Sequence, residues 1–256
     1  MSTRAPAYEA TCTAREQLSP HLVRLTLTGL EGFASTGVPD EWVGLIVPGQ
    51  FQSRYYTVRA FDGGRLVLDV VVHEVGLVTE WASRDCVGDT VTVTAPRGSF
   101  TLPADPGWLL LVGDLTAMPA MARIAETHPE LPTRIWAEVE DDLTGYLPPT
   151  VDVTWLTPPP AGSRLAETAE RLDWPPGQGY FWMAGESAQM RAIRKMLVRE
   201  RRLPSSSYAV MGYWRGVGER LPRAVDPGPI WRSGRATGKS DQEIWDDYDR
   251  AREEAP

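Results

Sequence analysis

The sequence predicts an α+β chain of two domains, an N-terminal antiparallel β-barrel followed by an α/β domain built on a parallel sheet. Short runs of alternating apolar and polar residues fill the first hundred positions, separated by Gly and Pro, which is typical of a barrel or sandwich. Later, continuous apolar runs alternate with helical segments, which indicates a parallel sheet covered by helices. The pattern of apolar residues changes near Asp105, so we predict domains at residues 1–105 and 106–256.

Three runs carry the barrel prediction: Leu22–Leu30, Arg65–Val75 and Asp89–Pro96. Each alternates in side-chain polarity, as expected for a strand with one buried face. Turn residues lie between them, including the pairs Pro48-Gly49 and Gly63-Gly64. The spacing predicts several short antiparallel strands.

The α/β prediction depends on the apolar runs Trp108–Asp114, Tyr180–Gly185 and Tyr208–Trp214, which are typical of strands buried on both faces. Helical patterns separate them, and Ser187 is the predicted N-cap of one helix. The tail is rich in Gly, Pro and basic residues, and a short final helix is predicted to begin at Ser240.

Composition excludes several classes of function. The 256 residues carry a formal net charge of −8, which disfavours a nucleic-acid partner. Two distant cysteines and three scattered histidines are too few for an iron–sulfur cluster or a structural zinc site, so no metal site is predicted. No apolar run approaches the ~20 residues of a membrane span, and the N-terminus lacks a signal-peptide core. We therefore expect a cytoplasmic protein without membrane insertion.

The segment "RYYTVR" is the first candidate binding site. On a strand, Arg54 and Tyr56 share one face, whereas Tyr55, Thr57 and Arg59 share the other. Arginine pairs with phosphate oxygens, a tyrosine ring offers a stacking surface, and a threonine hydroxyl can bond to a ring heteroatom. The alternative is an exposed edge strand whose arginines are solvated.

The segment "HEVGLVTEWA" is the second candidate. A short helical turn follows Gly76, and such a start exposes backbone N–H groups that can bind an anion. Thr79 adds a hydroxyl. The alternative is an ordinary loop in which Trp81 anchors the core and His73 is structural.

Two strand–turn–helix junctions form the third candidate. Asp114, Thr116 and Ala117 follow one predicted parallel strand, and Gly185 and Glu186 end another. The carboxyl ends of parallel strands line a ligand crevice. Neither junction has the glycine spacing of a phosphate-binding loop, so plain connections are the alternative.

Six motifs in this order resemble the siderophore-interacting protein family, FAD-binding ferric-siderophore reductases of the ferredoxin-reductase superfamily. They are "RYYTVR", "HEVGLVTEWA", "PRGSF", "GDLTAMPA", "MAGE" and "GYWRG", and the resemblance covers roughly residues 9–219. Leu115 stands where the family usually has Glu, and Gly216 stands where it often has a basic residue. The Cys-rich signature of the iron–sulfur branch is absent from the sequence.

The resemblance implies an FAD-binding barrel and an NAD(P)H-binding α/β domain. Arg54 would hold the FAD pyrophosphate, Tyr56 would stack on the isoalloxazine, and Thr57 would approach the flavin N5. The other implied cofactor contacts are Arg59, His73, Gly76, Thr79, Trp81, Ala82, Asp114, Thr116, Ala117, Gly185, Glu186, Tyr213 and Trp214.

The implied reaction passes a hydride from NAD(P)H to FAD and then single electrons to a ferric siderophore, which releases Fe(II). No catalytic side chain is predicted, because the chemistry belongs to the cofactor. Many ferric siderophores are anionic, so basic residues are the candidate substrate ligands: Arg97, Arg215, Arg235 and Lys239, with Arg59, Arg220 and Arg232 as further candidates.

The electron donor and the acceptor have alternatives. The acidic segment 138–142, "EVEDD", would repel the 2′-phosphate of NADPH and so favours NADH, although an acidic exposed loop is an equal alternative. A general NAD(P)H:flavin oxidoreductase, or a reductase with a ferredoxin as partner, would share the fold. A non-enzymatic siderophore-binding protein is the remaining alternative.

Overall fold

The computed structural model describes residues 6–50, 52–73 and 76–215, and beyond them residues 230, 233–234, 236–239, 244 and 247. The chain divides into two compact units, residues 1–215 and 216–256. In the second unit, the Lys239 ammonium pairs with the Asp247 carboxylate at 2.5 Å. The predicted final helix from Ser240 begins outside the described residues. Within the described part of the chain, no helix is both long and apolar enough for a bilayer crossing.

A closed barrel of antiparallel strands forms the N-terminal half of the first unit, in the order β1-β2-β5-β4-β3-β6. Its strands are β1 (Ala7–Ser19), β2 (Leu22–Thr28), β3 (Trp42–Ile46), β4 (Arg54–Asp62), β5 (Arg65–Val71) and β6 (Thr90–Thr94). One short helix, α1 (Leu77–Ser83), precedes β6. The barrel confirms the predicted fold, because alternate apolar residues such as Leu25 and Leu27 fill its interior.

A five-stranded parallel sheet follows, in the order β11-β10-β7-β8-β9. The strands are β7 (Leu109–Asp114), β8 (Thr133–Glu138), β9 (Asp152–Leu156), β10 (Tyr180–Glu186) and β11 (Tyr208–Trp214). The helices are α2 (Met118–Thr127), α3 (Leu165–Glu170) and α4 (Ser187–Lys195), with 3-10 turns at Leu115–Ala117 and Ser205–Ser207 and a π-helical turn at Met196–Glu200. The parallel sheet is confirmed. A division between independent domains at residue 105 stays a prediction.

Burial on both faces explains the continuous apolar runs. Leu109 and Leu111 of β7 pack with α2 residues on one face of the sheet, and Leu110 and Val112 pack with α3 and α4 residues on the other. A strand without a polar face is therefore the one that forms the middle of the sheet.

Polar contacts join the barrel to the α/β part. Asp69 of β5 is buried and accepts two hydrogen bonds from the Arg24 guanidinium, at 2.7 and 2.8 Å, and one from the Tyr146 hydroxyl at 2.5 Å. Arg59 of β4 forms a bidentate pair with Glu126 of α2, at 2.6 and 2.8 Å. These contacts fix the binding strand β4 relative to the sheet.

The predicted N-cap of α4 is wrong. Ser187 is the first residue of the helix, and its hydroxyl donates to the carbonyl oxygen of Trp214 at 2.9 Å. Glu186 takes the cap position without a side-chain cap bond. The serine hydroxyl thus ties α4 to the end of β11.

Cys12 and Cys86 are free, fully buried thiols whose sulfur atoms lie 3.7 Å apart. Burial raises the pKa of Cys12 to about 12 and also raises that of Cys86. We expect the native protein to react with a thiol-specific disulfide reagent at least about a thousandfold more slowly than an exposed cysteine, because the thiolate is the nucleophile. Reagent absorbance in native buffer and in denaturant measures this, and fast release of two equivalents by the native protein would contradict it.

Candidate functional site

The carboxyl edge of the parallel sheet brings the third predicted candidate together. β8 lies on one side of β7 and β10 lies on the other, so the strand order reverses between β7 and β10. Asp114 ends β7, and Gly185 and Glu186 end β10. Ligands of open α/β sheets bind at such a switch point.

Asp114 organises this edge. Its Oδ1 atom accepts hydrogen bonds from the Thr116 backbone N–H at 2.9 Å and from the Thr116 hydroxyl at 2.5 Å. Its Oδ2 atom accepts from the Trp214 indole N–H at 2.7 Å. Burial raises the pKa of Asp114, and the hydrogen bonds from Thr116 and Trp214 oppose that rise. One carboxylate therefore positions two other predicted site residues.

Gly185 permits a close approach to Asp114. Its φ angle is +154°, and a Cβ atom built there would lie 2.6 Å from Asp114 Oδ2 and 2.9 Å from Leu165 Cδ1. Ala117 is buried beneath the same edge, and Glu186 is half-buried beside it. Only glycine fits at position 185 without moving the carboxylate.

We expect Gly185→Ala to destabilise the protein by about 1–3 kcal/mol, because the new methyl group meets the Asp114 carboxylate in a backbone conformation that side chains rarely adopt. Urea unfolding measures the loss. Gly145→Ala is the matched control, since Gly145 has a φ of +82° with nothing within 4 Å of a built Cβ. An equal effect of both substitutions would show that backbone strain alone is responsible.

The strand β4 places a guanidinium beside a ring. Arg54 is exposed, Tyr56 is half-buried, and Thr57 is buried, with 5% of its surface accessible to solvent. Burial raises the pKa of Tyr56 to about 12, while the neighbouring charge of Arg54 lowers it, so the two groups are electrostatically coupled. The strand β4 therefore carries an exposed guanidinium and a half-buried ring, and their binding to a phosphate and a flat ring stays a prediction.

Thr57 and Tyr213 connect the two candidate sites. The Tyr213 hydroxyl is buried and has no hydrogen-bond partner of good geometry among the described residues. Burial raises the pKa of this hydroxyl, and the adjacent Thr57 side chain lowers it. Tyr213 belongs to β11 and precedes Trp214, so the barrel strand and the carboxyl edge of the sheet meet here. A buried hydroxyl without a well-oriented partner can bond to a polar ligand atom.

Arg59 is occupied by protein partners. Besides its bidentate pair with Glu126, its guanidinium lies 3.9 Å from Asp69 and 5.5 Å from the Tyr146 ring centroid. These contacts give it a structural function between barrel and sheet. The predicted roles of Arg59 toward cofactor or substrate stay predictions.

The turn after β5 holds the second predicted candidate. Gly76 has a φ of +141° and directly precedes α1, and a Cβ built there would lie 3.7 Å from His73 Cε1. The His73 backbone N–H donates to the Thr79 hydroxyl at 3.4 Å. The structure therefore places His73 close to both Gly76 and Thr79.

Trp81 and Ala82 have structural partners. Both are buried in the barrel core. The Trp81 indole donates to Asp89 at 2.9 Å, and the Ala82 carbonyl accepts from Arg15 at 2.7 Å. Their burial agrees with the alternative that Trp81 anchors the core, and their contact with a cofactor stays a prediction.

The predicted substrate residues that the structure describes belong to different elements. Arg97 follows β6 and Arg215 follows β11, and both side chains are exposed. Lys239 belongs to the second unit, where it pairs with Asp247. Arg220, Arg232 and Arg235 lie outside the described residues.

Asp40 is a structural residue that the sequence did not reveal. It is fully buried and accepts hydrogen bonds from the Ser99 N–H at 2.8 Å, the Ser99 hydroxyl at 2.8 Å, the Phe100 N–H at 2.9 Å and the Trp182 indole at 3.4 Å. It thereby joins the "PRGSF" turn to β10. An aspartate before an apolar strand carries no signal of this role in the sequence.

Comparison with known proteins identifies the family. Residues 106–216 match the family described as siderophore-interacting protein, and residues 49–100 match the siderophore-interacting FAD-binding domain. The chain belongs to the siderophore-interacting protein family. FAD is the cofactor of the matched domain, and the β4 strand lies inside that match.

Relatives and solved structures agree with this family. The chain is 32% identical over 242 residues to the mycobactin import ATP-binding/permease protein IrtA of Mycobacterium tuberculosis, covering 86% of this chain but 28% of that protein. It is 27% identical over 244 residues to an NADPH-dependent ferric-chelate reductase of Escherichia coli, covering 80% and 92% of the two chains. A siderophore utilization protein from T. fusca has a TM-score of 0.73 and 28% identity, covering 84% and 95%.

The residues present fit a flavin dinucleotide. The exposed guanidinium of Arg54 suits a pyrophosphate, and the half-buried Tyr56 ring suits a flat tricycle. The family match and the two side chains on β4 therefore both indicate FAD.

Proposed function

We propose that the chain is an FAD-dependent ferric-siderophore reductase that uses NAD(P)H as electron donor. The observation that carries this proposal is that α2, which follows the Asp114 turn at the carboxyl edge of the parallel sheet, bonds to the barrel strand β4: the Arg123 guanidinium of α2 donates to the Val58 carbonyl oxygen at 2.5 Å. A flavin on β4 and a nicotinamide dinucleotide at the switch point would then meet at one seam. The relative named as an NADPH-dependent ferric-chelate reductase supports the same activity.

The barrel residues bind and orient the cofactor in this proposal. Arg54 pairs with the pyrophosphate, Tyr56 stacks on the ring system, and the Thr57 hydroxyl bonds to a heteroatom at the ring edge. FAD, when bound, accepts a two-electron hydride and gives electrons to iron one at a time. His73, Gly76 and Thr79 border the phosphates from the turn before α1.

The residues of the sheet edge shape the place of the nicotinamide. Asp114 fixes the Thr116 turn and the indole of Trp214, whose side chain remains 36% exposed. Gly185 has no side chain that projects from the sheet edge at this point, so a planar ring can approach the backbone closely. No proton needs to be removed by the protein, so Asp114 acts by position only.

The substrate is a ferric siderophore. Hard oxygen ligands hold Fe(III) more tightly than Fe(II), so one-electron reduction releases the metal. Arg97 and Arg215 are exposed cations that would attract an anionic chelate to a protein of net charge −8. The proposal implies the cytoplasm, because reduced nicotinamide dinucleotides are available there.

Turnover with a panel of acceptors tests the proposal. Purified protein with bound FAD is mixed with NADH or NADPH as the donor. Each acceptor is then tested in a separate reaction: a hydroxamate ferric siderophore, a catecholate ferric siderophore, free FAD or a ferredoxin. A chromogenic chelator traps the Fe(II) that is formed. We expect the ferric siderophores to give the highest kcat/KM. Faster reaction with free flavin or with ferredoxin would indicate a general oxidoreductase or a ferredoxin-dependent reductase. A protein that binds a siderophore, but neither binds flavin nor reduces iron, would be a non-enzymatic siderophore-binding protein.

A matched pair of variants tests the substrate residues. We expect the Arg97→Ala/Arg215→Ala double variant to raise the KM for an anionic ferric siderophore with the reduction of FAD by NAD(P)H unchanged. Arg84→Ala removes another exposed cation, one that is paired with Asp89 and was not predicted to bind substrate, and serves as the control.

A further inference from the structure

A strongly basic segment runs along α4, in a protein that is acidic overall. Residues 187–202 comprise α4, the π-helical turn after it and two further arginines. They hold six basic residues and one acidic residue, a net charge of +5. The rest of the sequence, with 20 basic and 33 acidic residues, carries −13. The segment therefore gives one face of the protein a charge opposite to that of the whole.

Four of these cations lie on the solvent side of the helix. Arg191, Lys195 and Arg199 follow one another at intervals of four residues, and Arg202 extends the line; we call these four residues the basic row. All four side chains are exposed, whereas apolar residues such as Ile193 on the other side of α4 are buried in the core. At about 1.5 Å per residue, the basic row is about 16 Å long.

The basic row has no carboxylate partner among the described residues. Its first three members are one another's neighbours at the four-residue spacing, and like charges at this spacing destabilise a helix. On α3, by contrast, the cation of Arg171 pairs with Glu167 at the same spacing, at 2.8 Å. The repulsion within the basic row is therefore left for an anionic partner to relieve.

The other two cations of the segment are engaged by the protein. The Arg194 guanidinium donates to the Val210 carbonyl oxygen. The Arg201 guanidinium lies 4.4 Å from the Trp174 ring centroid, as in a cation–π contact. The basic row thus consists of the cations of this segment that have no such contact with a described residue.

The direction of α4 carries the basic row away from the candidate site. The helix begins at the carboxyl edge of the sheet, where the Ser187 hydroxyl donates to the Trp214 carbonyl oxygen. The chain then returns to the opposite edge, because β11 begins there at Tyr208 and runs parallel to β10. A protein that exchanges electrons with a flavin at the seam would have to bind at the carboxyl edge, so the basic row does not suit such a partner.

The composition of the same face suits a diffuse anionic surface. Residues 187–202 contain no aromatic residue, although aromatic anchors are typical of specific protein interfaces. The apolar residue Val198, between Lys195 and Arg199 in the sequence, is 52% exposed. A row of cations with a small apolar side chain among them can lie on lipid headgroups without a shaped partner.

We propose that the basic row binds an anionic phospholipid surface and holds the protein at the membrane as a peripheral protein. Each Lys or Arg close to an anionic bilayer strengthens binding about fivefold, so four of them strengthen it roughly several hundredfold. The remaining surface is acidic and is repelled by the same bilayer, so the protein would bind with α4 facing the lipid. This inference concerns a different face from the proposed reaction and does not depend on it.

Cosedimentation with vesicles tests the inference. The full chain with FAD is mixed with vesicles of phosphatidylcholine alone or of phosphatidylcholine with phosphatidylglycerol. We expect the wild type to sediment with the anionic vesicles only, and to be released as the salt concentration rises, because salt screens exposed charges. Lys195→Gln/Arg199→Gln should weaken this binding about 30-fold, since two cations are lost.

Arg65→Gln/Arg171→Gln is the matched control, because it removes two exposed cations elsewhere and gives the same net charge. We expect it to bind the anionic vesicles like the wild type, and both double variants to keep the wild-type melting temperature. Equal weakening in the two variants would show that net charge alone is responsible, which would overturn the inference. It would also be overturned if the wild type did not bind anionic vesicles, even if an acidic ferredoxin bound through Lys195 and Arg199, because the face would then serve a protein partner.

Discussion

The Arg54→Ala variant is expected to lose tight FAD binding while keeping its fold. Arg54 is exposed at the start of β4, and its charge acts on Tyr56, the ring that we propose to stack on the flavin. Hydrogen bonds to a charged group contribute about 1.5–3 kcal/mol each, so losing this contact should weaken FAD binding by roughly 10- to 150-fold. Titration of the apoprotein with FAD, followed by flavin fluorescence, measures the change.

Arg65→Ala is the control for Arg54→Ala. Arg65 is also an exposed arginine at the start of a barrel strand, but it lies on β5 and outside the candidate site. We expect wild-type FAD affinity in this variant, and an unchanged melting temperature in both. Full retention of FAD by Arg54→Ala would show that Arg54 does not bind the FAD pyrophosphate.

The second large effect concerns Asp40. Replacing it with alanine is expected to destabilise the protein by about 3–5 kcal/mol, because three N–H groups and one hydroxyl lose their buried acceptor. Those donors belong to Ser99, Phe100 and Trp182, which link the turn after β6 to β10. The free energy of unfolding in urea measures the loss.

Asp173→Ala provides the comparison for Asp40→Ala. Asp173 is exposed, and among the described residues only its backbone carbonyl has a partner, the Arg134 guanidinium at 3.4 Å. Its substitution should change the free energy of unfolding by less than about 0.5 kcal/mol. If the two alanine variants unfold alike, Asp40 does not hold the barrel to the sheet.

The sequence could predict the features that depend on local periodicity. Alternation in Leu22–Leu30 indicates one buried face, and the apolar run of β7 indicates a central strand, so the barrel and the sheet follow from the pattern. The meeting of Asp114 with Gly185 was also predictable, because parallel strands share one carboxyl edge.

The remaining contacts depend on residues that are distant in the chain. Asp40 and Trp182 are separated by 142 positions, and no spacing rule connects them. Arg59 carries the same charge whether it binds a ligand or Glu126, so its sequence context could not assign its partner. Ser187 was predicted as a cap from its position before a helix, but the carbonyl of Trp214 is a partner that only the folded sheet supplies.

Single-turnover oxidation of the reduced protein tests the central claim most directly. The protein with bound FAD is reduced anaerobically by dithionite, freed of excess reductant, and mixed with a ferric siderophore and a ferrous chelator. We predict that the absorbance of oxidised FAD returns as about two Fe(II) per flavin are trapped, because the flavin carries two electrons and each Fe(III) accepts one. Flavin that stays reduced beside the ferric siderophore, and reoxidises only with ferredoxin or oxygen, would contradict the account.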